Sequence, residues 1–164
     1  MPEISEKPHF YSNGLKFTCT NCSTCCRFES GFVFLSEVDL DRLTKALQMH
    51  QNDFINTYCR WVPSMKGNYE LSLKEKANYD CIFWKKDIKH EDSDIIGGCM
   101  VYNSRPLQCK AFPFWASIVN KRKNWEITAQ NCPGMGNGTL HSEKSIENWL
   151  SLRQNEPIMC RGNT

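Results

Sequence analysis

Four cysteines fall within eight residues, Cys19-Thr-Asn-Cys22-Ser-Thr-Cys25-Cys26, separated only by small polar side chains. Such a stretch offers a hydrophobic core nothing, so it constrains the fold through its sulfurs. Thiolates are the ligands of zinc and of iron–sulfur centres, and a two-residue gap lets both flanking sulfurs reach one ion. Six more cysteines follow at positions 59, 81, 99, 109, 132 and 160. The rest of the chain is expected to act as scaffold that returns some of those six to the first four.

The start, Met-Pro-Glu-Ile-Ser-Glu-Lys, is polar and charged and has no apolar segment of the kind that directs export. A cytoplasmic location is therefore expected, in which thiols stay reduced and a cysteine pattern reads as metal-binding rather than as disulfides. Ten cysteines among 164 residues, about 6%, also fall short of a disulfide scaffold. No apolar run approaches the roughly 20 residues that span a bilayer. A net charge of +2 is too mild to imply nucleic acid. A protein or small molecule of unspecified kind is left as partner.

Periodicity gives a coarse element map. Residues 1–13 look loosely ordered. Leu15 and Phe17 alternate with polar neighbours, a short strand over 14–18, and Gly31-Phe-Val-Phe-Leu35 reads as a second strand. Ser36 suits an N-cap, and Leu40, Leu43 and Leu47 predict an amphipathic helix over 37–49. Asn52 or Asp53 opens a second helix that runs through Cys59 to Pro63, with Cys59 as a buried small hydrophobe. Strands follow at 69–73, 81–84 and 99–102, the last two separated by a charged loop over 85–98. Arg105-Pro106 opens a short helix carrying Cys109. Residues 115–119 and 125–129 suggest a hairpin, and Cys132-Pro-Gly134 through Gly138 a loop. A terminal helix around Ile146–Arg153 precedes a polar tail with Cys160. His9, His50, His90 and His141 read as solvated histidines.

Within the cluster, Cys25 and Cys26 are adjacent, and in extended chain their side chains point to opposite faces. The first three cysteines follow C-x2-C-x2-C, a bacterial iron–sulfur spacing that is completed by a Cys-Pro; here the Cys-Pro is Cys132-Pro133. Zinc knuckles use C-x2-C in pairs, and no C-x2-C occurs outside this one compact cluster, which favours a cluster over paired knuckles. Four thiolates around Zn²⁺ or a [4Fe–4S]²⁺ core leave a charge of about −2, which needs donors or cations nearby. Arg27, Arg105 and Lys110 each sit close to a cysteine in sequence, and Arg105 is the candidate donor to sulfur or clamp on cysteine-bearing backbone.

Cys19-x2-Cys22-x2-Cys25-Cys26, Cys81-Ile-Phe, Cys99-Met-Val-Tyr-Asn-Ser-Arg-Pro-Leu-Gln-Cys109-Lys-Ala-Phe-Pro113 and Cys132-Pro-Gly together resemble the YkgJ-type cysteine-cluster family, the CxxCxxCC zinc- or iron-chelating proteins. The resemblance spans residues 17–134 and implies eight metal ligands: Cys19, Cys22, Cys25, Cys26, Cys81, Cys99, Cys109 and Cys132. Cys59 and Cys160 fall outside it. Lys110 stands where the family commonly has arginine, keeping the charge without the planar fork. A related module in flagellin lysine N-methylases makes methyl transfer conceivable.

The expectation is a small α+β domain over residues 14–155, with short antiparallel strands and three to four helices around a cysteine-ligated metal centre. A tail follows over 156–164. An iron–sulfur cluster, [4Fe–4S], is favoured over Zn²⁺. Metal binding is the primary function, with a redox or methyl-transfer enzyme and a metal carrier or sensor as alternatives.

Overall fold

The structure, a computed structural model, describes residues 8–89, 94 and 96–162. Ser36 opens helix α1 (Glu37–Leu47) with a capping box. Its Oγ accepts from the Asp39 N–H at 3.0 Å, and the Asp39 carboxylate accepts from the Ser36 N–H at 3.1 Å. Helix α2 (Gln51–Tyr58) follows, and the chain then extends into β2 (Cys59–Pro63). β2 pairs antiparallel with β3 (Tyr69–Leu73), and β3 pairs in turn with β7 (Cys160–Arg161). Two ribbons complete the strands: β1 (Leu15–Phe17) with β6 (Met135–His141), and β4 (Trp84–Lys89) with β5 (Ile96–Cys99). Four helices have eight residues or more: α1, α2, α5 (Arg122–Ala129) and α6 (Glu143–Asn155); α3 (Leu107–Ala111) and α4 (Ala116–Val119) are shorter. The architecture is α+β, as expected.

Two small cores support it. Leu35, Leu40, Leu43, Phe54, Cys59, Leu71, Leu73, Phe83 and Val101 form the first, built on α1, α2 and the three-stranded sheet. Tyr11, Phe114, Ile118, Val119, Trp125, Met135 and Ile146 form the second, under α4, α5, α6 and the β1–β6 ribbon. Cys81 and Cys99 pack against the first and Cys132 against the second. Candidate ligands thus border both hydrophobic clusters, each of which is small.

Several local expectations are corrected. The second helix stops at Tyr58, and residues 59–63 are strand, because Arg60, Trp61 and Val62 find cross-strand partners in Ser72, Leu71 and Glu70. Residues 31–35 do not form a regular strand. Leu35 N–H does donate to Leu71 C=O at 3.0 Å, but the Gln108 side chain takes the Phe34 N–H and the Phe32 C=O at 3.0 and 2.8 Å. The charged stretch 85–98, read as a loop, contains most of the β4–β5 ribbon; His90 lies outside the described residues. Gly97 makes that ribbon close: its φ is +99°, and a Cβ there would stand 2.6 Å from the Trp84 ring. The strand expected at 81–84 begins only at Trp84, and the one expected at 99–102 lies earlier, over Ile96–Cys99. Residues 115–129 are two helices rather than a hairpin. Ile118 and Trp125 lie a heptad apart on buried faces, and Asn124 fixes the turn by donating to Ser117 C=O and Asn120 Oδ1. The glycine-rich stretch after Gly134 is part of β6.

Candidate metal centre

β1 delivers the chain to Thr18, and Thr18 is held against the Cys132-Pro-Gly134 turn. The Thr18 N–H donates to Gly134 C=O at 3.2 Å, and Thr18 Oγ1 accepts from the Thr139 N–H at 2.9 Å. A Cβ on Gly134 would lie 2.2 Å from the Thr18 carbonyl oxygen. Only glycine allows this approach, which brings Cys132 beside the first cluster; charge on Cys22 and Cys25 is close enough to help hold the Cys132 thiol protonated, behind burial as the main cause. Gly134→Ala is expected to cost about 1–3 kcal/mol by overpacking and to loosen Cys132 from the cluster, read as a lower denaturant midpoint together with reduced metal content.

The cluster loop is wound tightly. Asn21, Ser23 and Phe28 have φ of +57°, +64° and +75°. Asparagine tolerates that region; serine and phenylalanine do so at a cost of roughly 1–3 kcal/mol each. Thr24–Cys26 form a 3-10 turn. This overturns the opposite-face arrangement: Cys25 and Cys26 Sγ lie 3.7 Å apart on one side. Two thiolates on one tetrahedral ion with bonds of about 2.3 Å are separated by about 3.8 Å. Cys22 Sγ accepts from Thr24 Oγ1 at 3.4 Å.

The other cysteines reach this loop from separate elements. The Cys81 N–H donates to Cys26 C=O at 2.7 Å. Next to it, Asp80 accepts from Arg27 Nε at 2.9 Å, and the Arg27 guanidinium stacks 3.6 Å above the Trp84 ring. That hydrogen bond holds the Asp80 carboxyl below the usual carboxylate range. Arg27 therefore clasps the loop to the β4 entry. Cys99 ends β5 opposite Trp84.

Cys109 sits on α3, which is anchored at several points. The fully buried Asp39 accepts from the Leu107 N–H at 2.7 Å and from Arg42 at 3.1 Å. Arg42 also donates to Arg105 C=O at 3.1 Å, and Trp115 Nε1 donates to Gln108 C=O at 2.7 Å. None of these anchors was read from the sequence. The N-cap at Ser36 was visible; the reach of Asp39 across 68 residues to Leu107 was not.

Electrostatics tie the thiols into one group. The Cys26 thiol donates to Cys25, which with the Arg105 charge lowers Cys25 to about 7 against the cost of burial; the same bond raises Cys26, with charge on Cys25, Cys109 and Cys81 adding to it. Burial pushes Cys99 up to about 11, with charge on Cys81 and Cys25 adding to it and Arg105 opposing. Cys81 and Cys109 are raised by burial and by neighbouring thiols. Arg105 donates to Tyr102 C=O at 2.9 Å and lies 3.8 Å above the Tyr102 ring, while Cys19 borders the Tyr102 hydroxyl. The region holds Cys19, Cys22, Cys25, Cys26, Cys81, Cys99, Cys109 and Cys132. As placed, no three of the described sulfurs reach the separation of ligands on a common ion, so ligation requires a local inward closure. Cys59 is buried in the first core, where burial raises its thiol to about 12, and Cys160 is exposed on β7.

A family model, CxxCxxCC, described as a putative zinc- or iron-chelating domain, matches residues 18–133. The chain belongs to this family. The matched span contains all eight clustered cysteines and ends just past Cys132. No solved structure matches the chain. Among the described residues no helix is long and apolar enough to cross a membrane.

Proposed function

We propose that the protein binds a metal centre through Cys19, Cys22, Cys25, Cys26, Cys81, Cys99, Cys109 and Cys132, with an iron–sulfur cluster, [4Fe–4S], favoured over Zn²⁺. The observation that supports this reading is that thiols of the 19–26 loop, Cys81, Cys99, Cys109 and Cys132 stand near enough for charge on one to act on another. The donor set fits soft thiophilic metals. The surrounding charge fits as well: Arg105, Arg42 and Lys110 stand close together, and burial and the two arginines lower the Lys110 ammonium pKa. Positive charge gathered there opposes the net negative charge of a thiolate-bound centre.

When bound, such a centre supplies cross-linking strength and, if it contains iron, an electron-transfer couple. The chain's own residues hold the thiols in place. Arg27–Asp80 fixes the loop, Asp39 and Gln108 fix α3, and Gly134 fixes Cys132. Arg105 is the residue we assign to donation toward sulfur. Arg105→Leu is expected to weaken metal retention about 10- to 100-fold, the usual effect of removing an outer-shell partner, with little change in helix content; competition with a chelator measures it. Anaerobic purification followed by metal and sulfide analysis tests the reading itself. Brown protein with matched iron and sulfide supports the cluster, colourless zinc protein supports the zinc form, and protein that holds neither overturns both.

A further inference from the structure

Helix α6 begins at Glu143, capped by Ser142, and buries Ile146 against the second core. Glu143 and Glu147 lie one turn apart beside that buried stripe. An acidic residue in the first turn is explained by the helix dipole. A second carboxylate one turn later is not, since like charges at this spacing repel. Neither pairs with a lysine or arginine among the described residues.

What stands opposite them is a histidine. The turn at residues 9–14 is closed by Ser12 N–H to His9 C=O at 3.0 Å and Gly14 N–H to Tyr11 C=O at 2.7 Å. Arg122 donates to Phe10 C=O at 3.3 Å and lies 5.2 Å above the Phe10 ring, which ties the turn to α5. The His9 ring stacks on Tyr11 with centroids 4.8 Å apart and an interplanar angle of 2°. The ligand atoms of His9, Glu143 and Glu147 all lie within 4.8 Å of one another. Tyr11 is 4% exposed, and its hydroxyl makes no hydrogen bond among the described residues. Burial and then the charges of Glu147 and Glu143 raise its phenol, so the two glutamates lie within electrostatic reach of Tyr11.

We propose that His9, Glu143 and Glu147 form a second metal site, for a divalent transition-metal ion, on the α6 face outside the family-matched span. One imidazole nitrogen and two carboxylates suit zinc, cobalt and their neighbours and do not suit thiophilic clusters. Ligands on one such ion with bonds of about 2.1 Å stand about 3.0–3.4 Å apart. Closing from separations of up to 4.8 Å takes about 1–2 Å, within the reach of glutamate side-chain rotamers at half-buried Glu143 and exposed Glu147. The Tyr11 hydroxyl, which has no hydrogen bond among the described residues, is free to donate to a carboxylate of the site or to an ion-bound water, the orienting contact that metal ligands commonly have. His9 reads as a solvated histidine in the sequence because its partners lie more than 130 residues away.

The test uses the full chain with its thiol centre already loaded, titrated with Co²⁺. One further Co²⁺ per chain is expected, with ligand-field absorption and no thiolate-to-cobalt charge transfer. Glu147→Gln and His9→Ala are each expected to weaken this uptake at least about tenfold, with the metal held by the thiols unchanged in amount. Both substitutions are on the surface, and far-UV circular dichroism checks that the fold is retained. Cobalt uptake that is the same in both variants as in the parent chain overturns the proposal. So does uptake with thiolate charge transfer, or none with cobalt in large excess.

Discussion

Cys22→Ser is expected to abolish both bound metal and the cooperative unfolding transition, and exhaustive chelation of the parent chain is expected to do the same. The size of the effect follows from where the thiols sit. Nine buried residues form one core and seven the other; Cys81 and Cys99 border the first and Cys132 the second. Structural zinc contributes roughly 10–16 kcal/mol in small zinc fingers, while a whole domain is stable by about 5–15 kcal/mol. The strained Ser23 and Phe28 backbone adds to the demand, since that loop must be held by its ligands. Thermal unfolding followed by near-UV circular dichroism checks this. A sharp transition at the same temperature in Cys22→Ser would show that the two cores stand without the centre.

Asp39→Ala is expected to destabilise the chain by about 3–5 kcal/mol, the range for breaking one side of a buried, hydrogen-bonded ion pair. The carboxylate is fully buried and accepts from Ser36 N–H, Leu107 N–H and Arg42 at once. Its loss uncaps α1 and leaves the start of α3 without its acceptor. Because Cys109 rides on α3, metal retention should fall along with stability. Asp39→Asn is the informative companion: the amide keeps one acceptor, so a smaller loss is expected. Denaturant midpoints of the two variants, measured beside their metal content, separate the cap from the α3 anchor. Equal midpoints for Asp39→Ala and the parent would remove Asp39 from the account.

The parts of the fold that local chemistry determines were legible in the sequence. Ser36 announced the start of α1, the alternation at Leu15–Phe17 and Tyr69–Leu73 announced β1 and β3, and the leucine and tryptophan spacing announced α6. Burial of Cys59 followed from its apolar neighbours. What failed depended on distant partners. Residues 59–63 carry a pattern that serves helix or strand, and pairing with β3 decides between them. β4 is mostly charged because it faces solvent, so no alternation marks it as a strand. Residues 115–129 are rich in aromatic and branched side chains, yet tertiary burial of Ile118, Val119 and Trp125 selects helix.

At the candidate centre, the sulfurs were legible and their supports were not. Spacing and resemblance pick out eight cysteines as candidate ligands and leave aside Cys59, which is buried in the first core, and Cys160, which is exposed on β7. The roles of Asp39, Gln108 and Gly134 rest on contacts across 68 to over 110 residues, which leave no local signal. Gly134 came nearest to being visible, since it follows Cys132-Pro133, but only the 2.2 Å approach to Thr18 shows why glycine is required.

The most direct test of the account is X-ray absorption at the edge of the metal that co-purifies with His9→Ala protein, a variant that leaves the thiol centre to report alone. Convergent cysteine ligation predicts a first shell of sulfur at about 2.3 Å that is lost in Cys22→Ser. A first shell of nitrogen and oxygen, or a sulfur shell unchanged by that substitution, would contradict it.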